Sequence, residues 1–132
     1  MFYELHLPFP PTLNNYYVKT KQGQFISLKG KKYRVDVEAE VEEQLAALDV
    51  LPLDNRLNIT VVVHMPDKRK RDLDNYMKAL LDALTKAGVW LDDEQIDQLI
   101  IYRGAQVFAG AIRLVIHDAG PVIPIQYRLD RL

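Results

Sequence analysis

Residues 59–88 read ITVVVHMPDKRKRDLDNYMKALLDALTKAG, and the hydrophobic period changes within them. Ile59 to Met65 is apolar and β-branched, which predicts a buried central strand that Pro66 stops. From about Asp72 to Ala87 the apolar residues fall at Leu73, Met77, Leu80, Leu81 and Leu84 instead, the stripe of an amphipathic helix. Gly88 suits the position just past its C-terminus. Asp74 with Lys78, and Asp82 with Lys86, are i,i+4 pairs expected on its exposed side.

Upstream of this unit, residues 2–9 alternate, with Tyr3, Leu5, Leu7 and Phe9 on one face, as in a half-buried strand. Pro8, Pro10 and Pro11 end it, and a long loop is expected from Thr12 to Phe25. Ser27 is placed to cap a helix over roughly 28–48, with Val37, Val41, Leu45 and Leu48 on one face. Downstream, strands are predicted at about 97–103 and 111–117. The expected fold is therefore α+β: a small mixed sheet of about four strands with two main helices, in one domain over 1–132. Residues 119–132 form an extended C-terminal tail that docks on a partner or frays.

The chain has 132 residues, 48% of them hydrophobic, 27% charged and none cysteine. That composition supports a packed core, excludes disulfides and thiolate metal sites, and fits a cytoplasmic setting. No apolar run approaches the length of a membrane span, and the N-terminus lacks the pattern of a secretory leader. A net charge of −1 taken alone argues against a nucleic-acid partner. The charge is unevenly placed, however. Lys68, Arg69, Lys70 and Arg71 form one basic run and Lys19 to Arg34 holds a second, while acids gather at Glu38–Glu43 and Asp92–Asp97. A polarised surface of this kind binds DNA at near-zero net charge.

Asp72 and Asp74 follow the basic run directly. In extended chain entering a helix, residues i and i+2 point the same way, so both carboxylates reach one cation. Mg²⁺ takes oxygen ligands and keeps several waters, so two or three carboxylates suffice. Phosphodiester cleavage needs an activated water and charge neutralisation, which such an ion supplies. Lys78, one turn past Asp74, is placed to stabilise developing charge or protonate a leaving oxygen. Lys68, Arg69, Lys70 and Arg71 would hold flanking phosphates. Asn14, Asn15 and Tyr17 are candidate DNA contacts in the N-terminal loop, where aromatics stack on unpaired bases. His6, His64 and His117 are widely spaced on strands and read as structural, and Trp90 as core or interface.

Over most of its length, and most closely from His64 to Glu94, the sequence resembles the RusA family of crossover junction endodeoxyribonucleases of bacteria and their phages. The resemblance rests on the basic run followed by Arg71-Asp72-Leu73-Asp74-Asn75, then Asp82-Ala83-Leu84-Thr85-Lys86-Ala87-Gly88, then Trp90-Leu91-Asp92-Asp93. Leu7-Pro8-Phe9-Pro10-Pro11 with Asn14 and Asn15 also fits. It implies a RusA-like fold and a homodimer that uses Mg²⁺, with Mn²⁺ as a substitute, to cut symmetric strands of a four-way junction. It places metal-binding catalytic aspartates on Asp72, Asp74 and Asp93, the catalytic lysine on Lys78, and DNA contacts on Lys70 and Arg71. The chain departs from the family pattern in the loop after Asn15 and in its longer tail after His117.

Plainer roles compete with these. First-turn aspartates also cap helices, Lys78 pairs with Asp74, Asp92 and Asp93 make an acidic turn, and a basic run is a solvated patch. Two other functions are open: a branched-DNA-binding protein that does not cleave, and a structural cation site. Four cations beside a pure cation site would weaken it electrostatically.

Overall fold

The structure is a computed structural model that describes residues 2–120. Strand β1 (Phe2–Leu7) is followed by a short helix α1 (Leu13–Tyr16) and the hairpin β2 (Tyr17–Thr20) and β3 (Gly23–Ile26). Helix α2 (Leu28–Leu45), strand β4 (Leu57–His64), helix α3 (Met77–Lys86) and strands β5 (Ile96–Arg103) and β6 (Ala111–Asp118) complete it. Single 3₁₀ turns at Leu73–Tyr76 and Asp93–Gln95 flank α3.

The main sheet has the order β1-β6-β4-β5, with β4 and β5 parallel and the other pairs antiparallel. This is the mixed four-stranded α+β architecture that the periodicities predict. β4 is central, but its residues alternate buried and half-buried, so only one face is covered by helices. The apolar strand reading took both faces as buried; the second face is half-buried instead. α2 contributes Tyr33, Val37, Val41 and Leu45 to the core, and α3 contributes Leu80, Ala83 and Leu84. They pack on Leu5, Ile59, Val61, Leu114 and Ile116 of the sheet. Each fully buried leucine contributes roughly 1.5–3 kcal/mol. Trp90 lies in this core at 1% exposure and donates from Nε1 to Thr85 Oγ1 at 2.7 Å.

Two expectations need correction. The segment from Thr12 to Phe25 is not a plain loop: it contains α1 and the β2–β3 hairpin. Thr12 opens α1, whose Asn15 and Tyr16 amides both bond its carbonyl, and Gly23 supplies the positive φ (125°) for the turn. Nor does Asp82 sit on the exposed side with Lys86. Its carboxylate accepts from Arg34 Nη2 at 2.5 Å and from the Tyr16 hydroxyl. Arg34 Nε also donates to the Tyr16 oxygen at 2.8 Å, so one triad ties α1, α2 and α3 together. Tyr16 itself is fully buried, not a surface aromatic. Its neighbours Asn14 and Asn15 are exposed and Tyr17 is half-buried.

Gly30 marks where α2 meets α1. A β-carbon there would lie 2.7 Å from the Tyr16 carbonyl oxygen, and only glycine allows that approach. The Ser27 cap is present, with Oγ accepting from Gly30 N at 3.0 Å. The C-terminal tail lies outside the described residues, apart from Ala119, whose amide donates to Arg56 O, and Gly120. Among the described residues no helix is long and apolar enough to cross a membrane.

Candidate metal and nucleic-acid site

β4 delivers the chain into the basic loop at Met65, whose carbonyl is held by the Val107 amide. Within the loop Asp67 acts as an internal anchor. It accepts from the Arg69 amide at 2.9 Å, from the Arg69 guanidinium at 3.1 and 3.2 Å, and from Arg71 Nη2 at 3.0 Å. Hydrogen bonds from Arg69 and then Arg71 hold its carboxyl well below the usual carboxylate range. Sequence reasoning missed this residue; its i,i+2 and i,i+4 spacing to the two arginines was the available signal.

The four basic residues are thus not equivalent. Lys68, Arg69 and Lys70 are exposed. The Arg71 side chain is only 17% exposed. It lies over the Phe9 ring at 6.0 Å and reaches the Tyr76 hydroxyl at 3.4 Å, and its carbonyl is held by Arg103 Nη2 at 2.7 Å. Its buried Nε has no hydrogen-bond partner among the described residues.

Asp72 closes the loop in extended conformation (φ −90°, ψ 134°), and Asp74 lies in the 3₁₀ turn that precedes α3. The helix therefore begins at Met77 and not at Asp72. Capping does not occupy the first carboxylate: Asp72 makes no side-chain cap bond. Both aspartates are exposed. Lys78 is exposed in the first turn of α3, and its charge reaches both Asp82 and Asp93. Among the described residues no ion pair joins it to Asp74.

The turn after α3 does fold back toward the helix start, bringing Asp93 under the influence of Lys78. Gln95 fixes that turn. Its side-chain oxygen accepts from the Leu91 and Asp92 amides at 2.8 and 2.9 Å, and its Nε2 donates to Leu53 O and Asn55 O, each at 2.9 Å. Asp92 caps the turn by accepting from Glu94 N at 3.0 Å, the plain role expected for it. Burial, and then hydrogen bonding with the Asp92 carboxyl, raise the Asp93 carboxyl above the ordinary aspartate value, while Lys78 opposes the shift. The Glu94 amide and then Asp93 lower Asp92.

A recess of about 380 Å³ is lined by Thr12, Lys70, Arg71, Asp72, Asn75 and Tyr76. It joins the start of α1 to the basic loop and the first aspartate. A second recess is lined by Asn14, Tyr17 and Lys19 among others. As placed, no three aspartate, glutamate or histidine side chains among the described residues are gathered to hold a metal ion. The donor chemistry still suits a hard divalent cation: three carboxylates, two of them exposed, beside a lysine.

A family model for endodeoxyribonuclease RusA matches residues 8–117. A crossover junction endodeoxyribonuclease of Enterobacteria phage HK97 is 44% identical over 116 residues, covering 88% of this chain and 94% of that protein. Its counterparts in Shigella sonnei (strain Ss046) and Escherichia coli (strain K12) are 40% and 39% identical over 118 residues, in each case 89% of this chain and 96% of theirs.

Proposed function

The chain belongs to the RusA family of endodeoxyribonucleases, and from that premise we propose that it is a Mg²⁺-dependent enzyme that resolves four-way DNA junctions by paired symmetric nicks. The observation that carries the reading is the exposed basic loop, Lys68 to Lys70, that leads straight into the exposed Asp72 and Asp74 ahead of α3.

Asp72, Asp74 and Asp93 are the residues that would hold the metal, and Mn²⁺ would satisfy the same oxygen donors. When bound, the ion supplies a water of lowered pKa and neutralises charge on the cleaved phosphate. The chain's own groups do the rest. To act as a ligand, the Asp93 carboxyl must lose its proton. The Lys78 ammonium favours that loss, and it is placed to donate to the departing oxygen. Lys68, Arg69 and Lys70 grip phosphates beside the cut, and Asn14, Asn15 and Tyr17 contact the junction from α1 and the hairpin. Arg71 shapes the loop from within, through Asp67, Phe9 and Tyr76, and offers DNA less than its neighbours do. A homodimer supplies two equivalent sites for two related cuts. The setting is cytoplasmic, in recombination and repair.

One observation favours a second reading, a branched-DNA-binding protein that does not cleave: the three carboxylates are not gathered as placed. A labelled four-way junction and a matched duplex, each incubated with protein in Mg²⁺ or EDTA, separates the two. Paired nicks in the junction, dependent on Mg²⁺ and lost in Asp72→Asn while binding persists, are the expected result. Junction binding without nicks selects the second reading. Calorimetric titration of Mg²⁺ into the protein alone reports the metal site independently of cleavage, and the same substitution should abolish that heat.

A further inference from the structure

The hairpin of β2 and β3 has two faces of different chemistry. Its register opposes Tyr17 to Ile26, Val18 to Phe25 and Lys19 to Gln24. Side chains alternate along each strand, so Tyr17, Lys19 and Gln24 point to one side and Val18 and Phe25 to the other. The first side turns toward α1. There Tyr17, Lys19 and Gln24 line a recess of about 440 Å³ together with Leu13 and Asn14. That volume falls within the roughly 300–1,000 Å³ of small-ligand sites. Its polar groups are uncommitted: among the described residues, no hydrogen bond or ion pair occupies the side chains of Asn14, Lys19 and Gln24. Its aromatic wall is braced. The Tyr17 ring meets the Tyr16 ring at 4.9 Å and 79°. Tyr16 is in turn fixed through its hydroxyl to Asp82 and Arg34. An edge-to-face contact covers at most one face of Tyr17, and the side chain is only half-buried, so ring surface stays open to the recess.

These groups suit a nucleobase better than a phosphate. The recess holds one cation and two neutral amides, and each amide offers donors and an acceptor, the groups that pair with base edges. An aromatic ring offers every base a stacking surface. A base within a duplex shows only its groove edges, so its face and its pairing edge reach such a recess only after it leaves the stack. Unstacking costs least where pairing is already interrupted, as at the branch point of a junction. The recess also lies beside the carboxylates. Thr12 lines the neighbouring recess with Lys70, Arg71 and Asp72. Its Cα lies at most about 7.6 Å from that of Asn14, two residues on. We propose that Asn14, Tyr17, Lys19 and Gln24 accept one unstacked nucleobase from the DNA strand that crosses Asp72. Tyr17 is the stacking platform, Asn14 and Gln24 meet the base edge, and Lys19 holds the flanking phosphate. This rests on the junction reading above and names what α1 and the hairpin hold.

Binding measured in EDTA tests this apart from cleavage. Four-way junctions are prepared in which each nucleotide at the branch point is replaced, one at a time, by an abasic residue. For the unmodified chain, one such replacement should weaken binding by about tenfold, the scale of one base stacked on an aromatic ring. Tyr17→Ala should weaken binding to the intact junction by the same factor, with no further loss on the abasic one. Tyr17→Phe should bind as the unmodified chain does. Asn14→Ala combined with Gln24→Ala should reduce any dependence on which base stands there. Phe25→Ala, on the opposite face of the hairpin, should keep the full abasic penalty and so controls for a disturbed hairpin. Tight junction binding with no abasic penalty at any position overturns the recess and leaves the junction reading standing. Losses from Tyr17→Ala and the abasic residue that simply add also overturn it. So does a penalty that Phe25→Ala removes and Tyr17→Ala does not, which puts the base on the other face. A junction bound no better than a matched duplex overturns the junction reading instead. The recess is then judged on a duplex with one unpaired nucleotide: binding above that of the plain duplex, lost in Tyr17→Ala, sustains it, and equal binding of the two overturns it.

Discussion

Asp92 and Asp93 show how position divides two chemically identical side chains. One spends its carboxylate on a backbone cap; the other is partly desolvated, and that burial raises its carboxyl above the ordinary aspartate value. A metal ligand must be ionised, so Mg²⁺ affinity should fall with decreasing pH at a value above that of an ordinary aspartate, about 3.9. Asp92→Asn keeps the cap, since asparagine caps as well as aspartate, but removes the neighbouring acid. The acid limb of the Mg²⁺ binding curve should then move to lower pH, and an unmoved limb would mean that the pair is uncoupled. Lys78→Ala should move the same limb upward, because the lysine lowers Asp93. It should also slow junction cleavage by on the order of 10²-fold with little change in junction affinity. An unaltered rate would reduce Lys78 to a surface charge.

At the scale of elements, the site depends on how α1, α2 and α3 meet. Glycine inside a helix is ordinarily a weakness, and Gly→Ala ordinarily gains up to about 1 kcal/mol. At Gly30 the sign reverses, because the new methyl would press on the Tyr16 carbonyl and on Ile26. Gly30→Ala should cost about 1–3 kcal/mol of stability by overpacking, measurable in urea, and should disturb the Tyr16–Arg34–Asp82 triad in the same contact. A neutral or stabilising result would show that α1 yields easily. Gln95 has the corresponding role after α3: four hydrogen bonds from one amide hold the turn that carries Asp93.

For the whole molecule, the charge that meets DNA is local and not net. Neutralising exposed Lys68 and Lys70 together should weaken junction binding and reduce the slope of log K against log salt by about two, close to one per phosphate contact. Loss of affinity without a change in slope would remove both from the interface. Arg71 should behave differently. Its guanidinium is enclosed by Asp67, Phe9 and Tyr76, so its replacement should lower stability as well as binding.

Local pattern determined much of this protein. Alternation marked β1, the 3.6 period marked the α3 stripe, Ser27 announced α2, and the order basic run, Asp72, Asp74, Lys78 pointed to a candidate phosphodiester site. Each of these is a property of neighbours along the chain, where spacing and side-chain chemistry suffice. What only the tertiary structure decided involves partners distant in sequence. Asp82 looked like a solvated partner of Lys86 until α1 and α2 brought Tyr16 and Arg34 to it. Arg71 looked like its three basic neighbours until Phe9 and Tyr76 closed over it. Asp93 reached Lys78 only because α3 crosses back between two parallel strands and Gln95 pins the turn that follows. Periodicity reports which face of an element is buried, but not what buries it; that is settled by packing across the core.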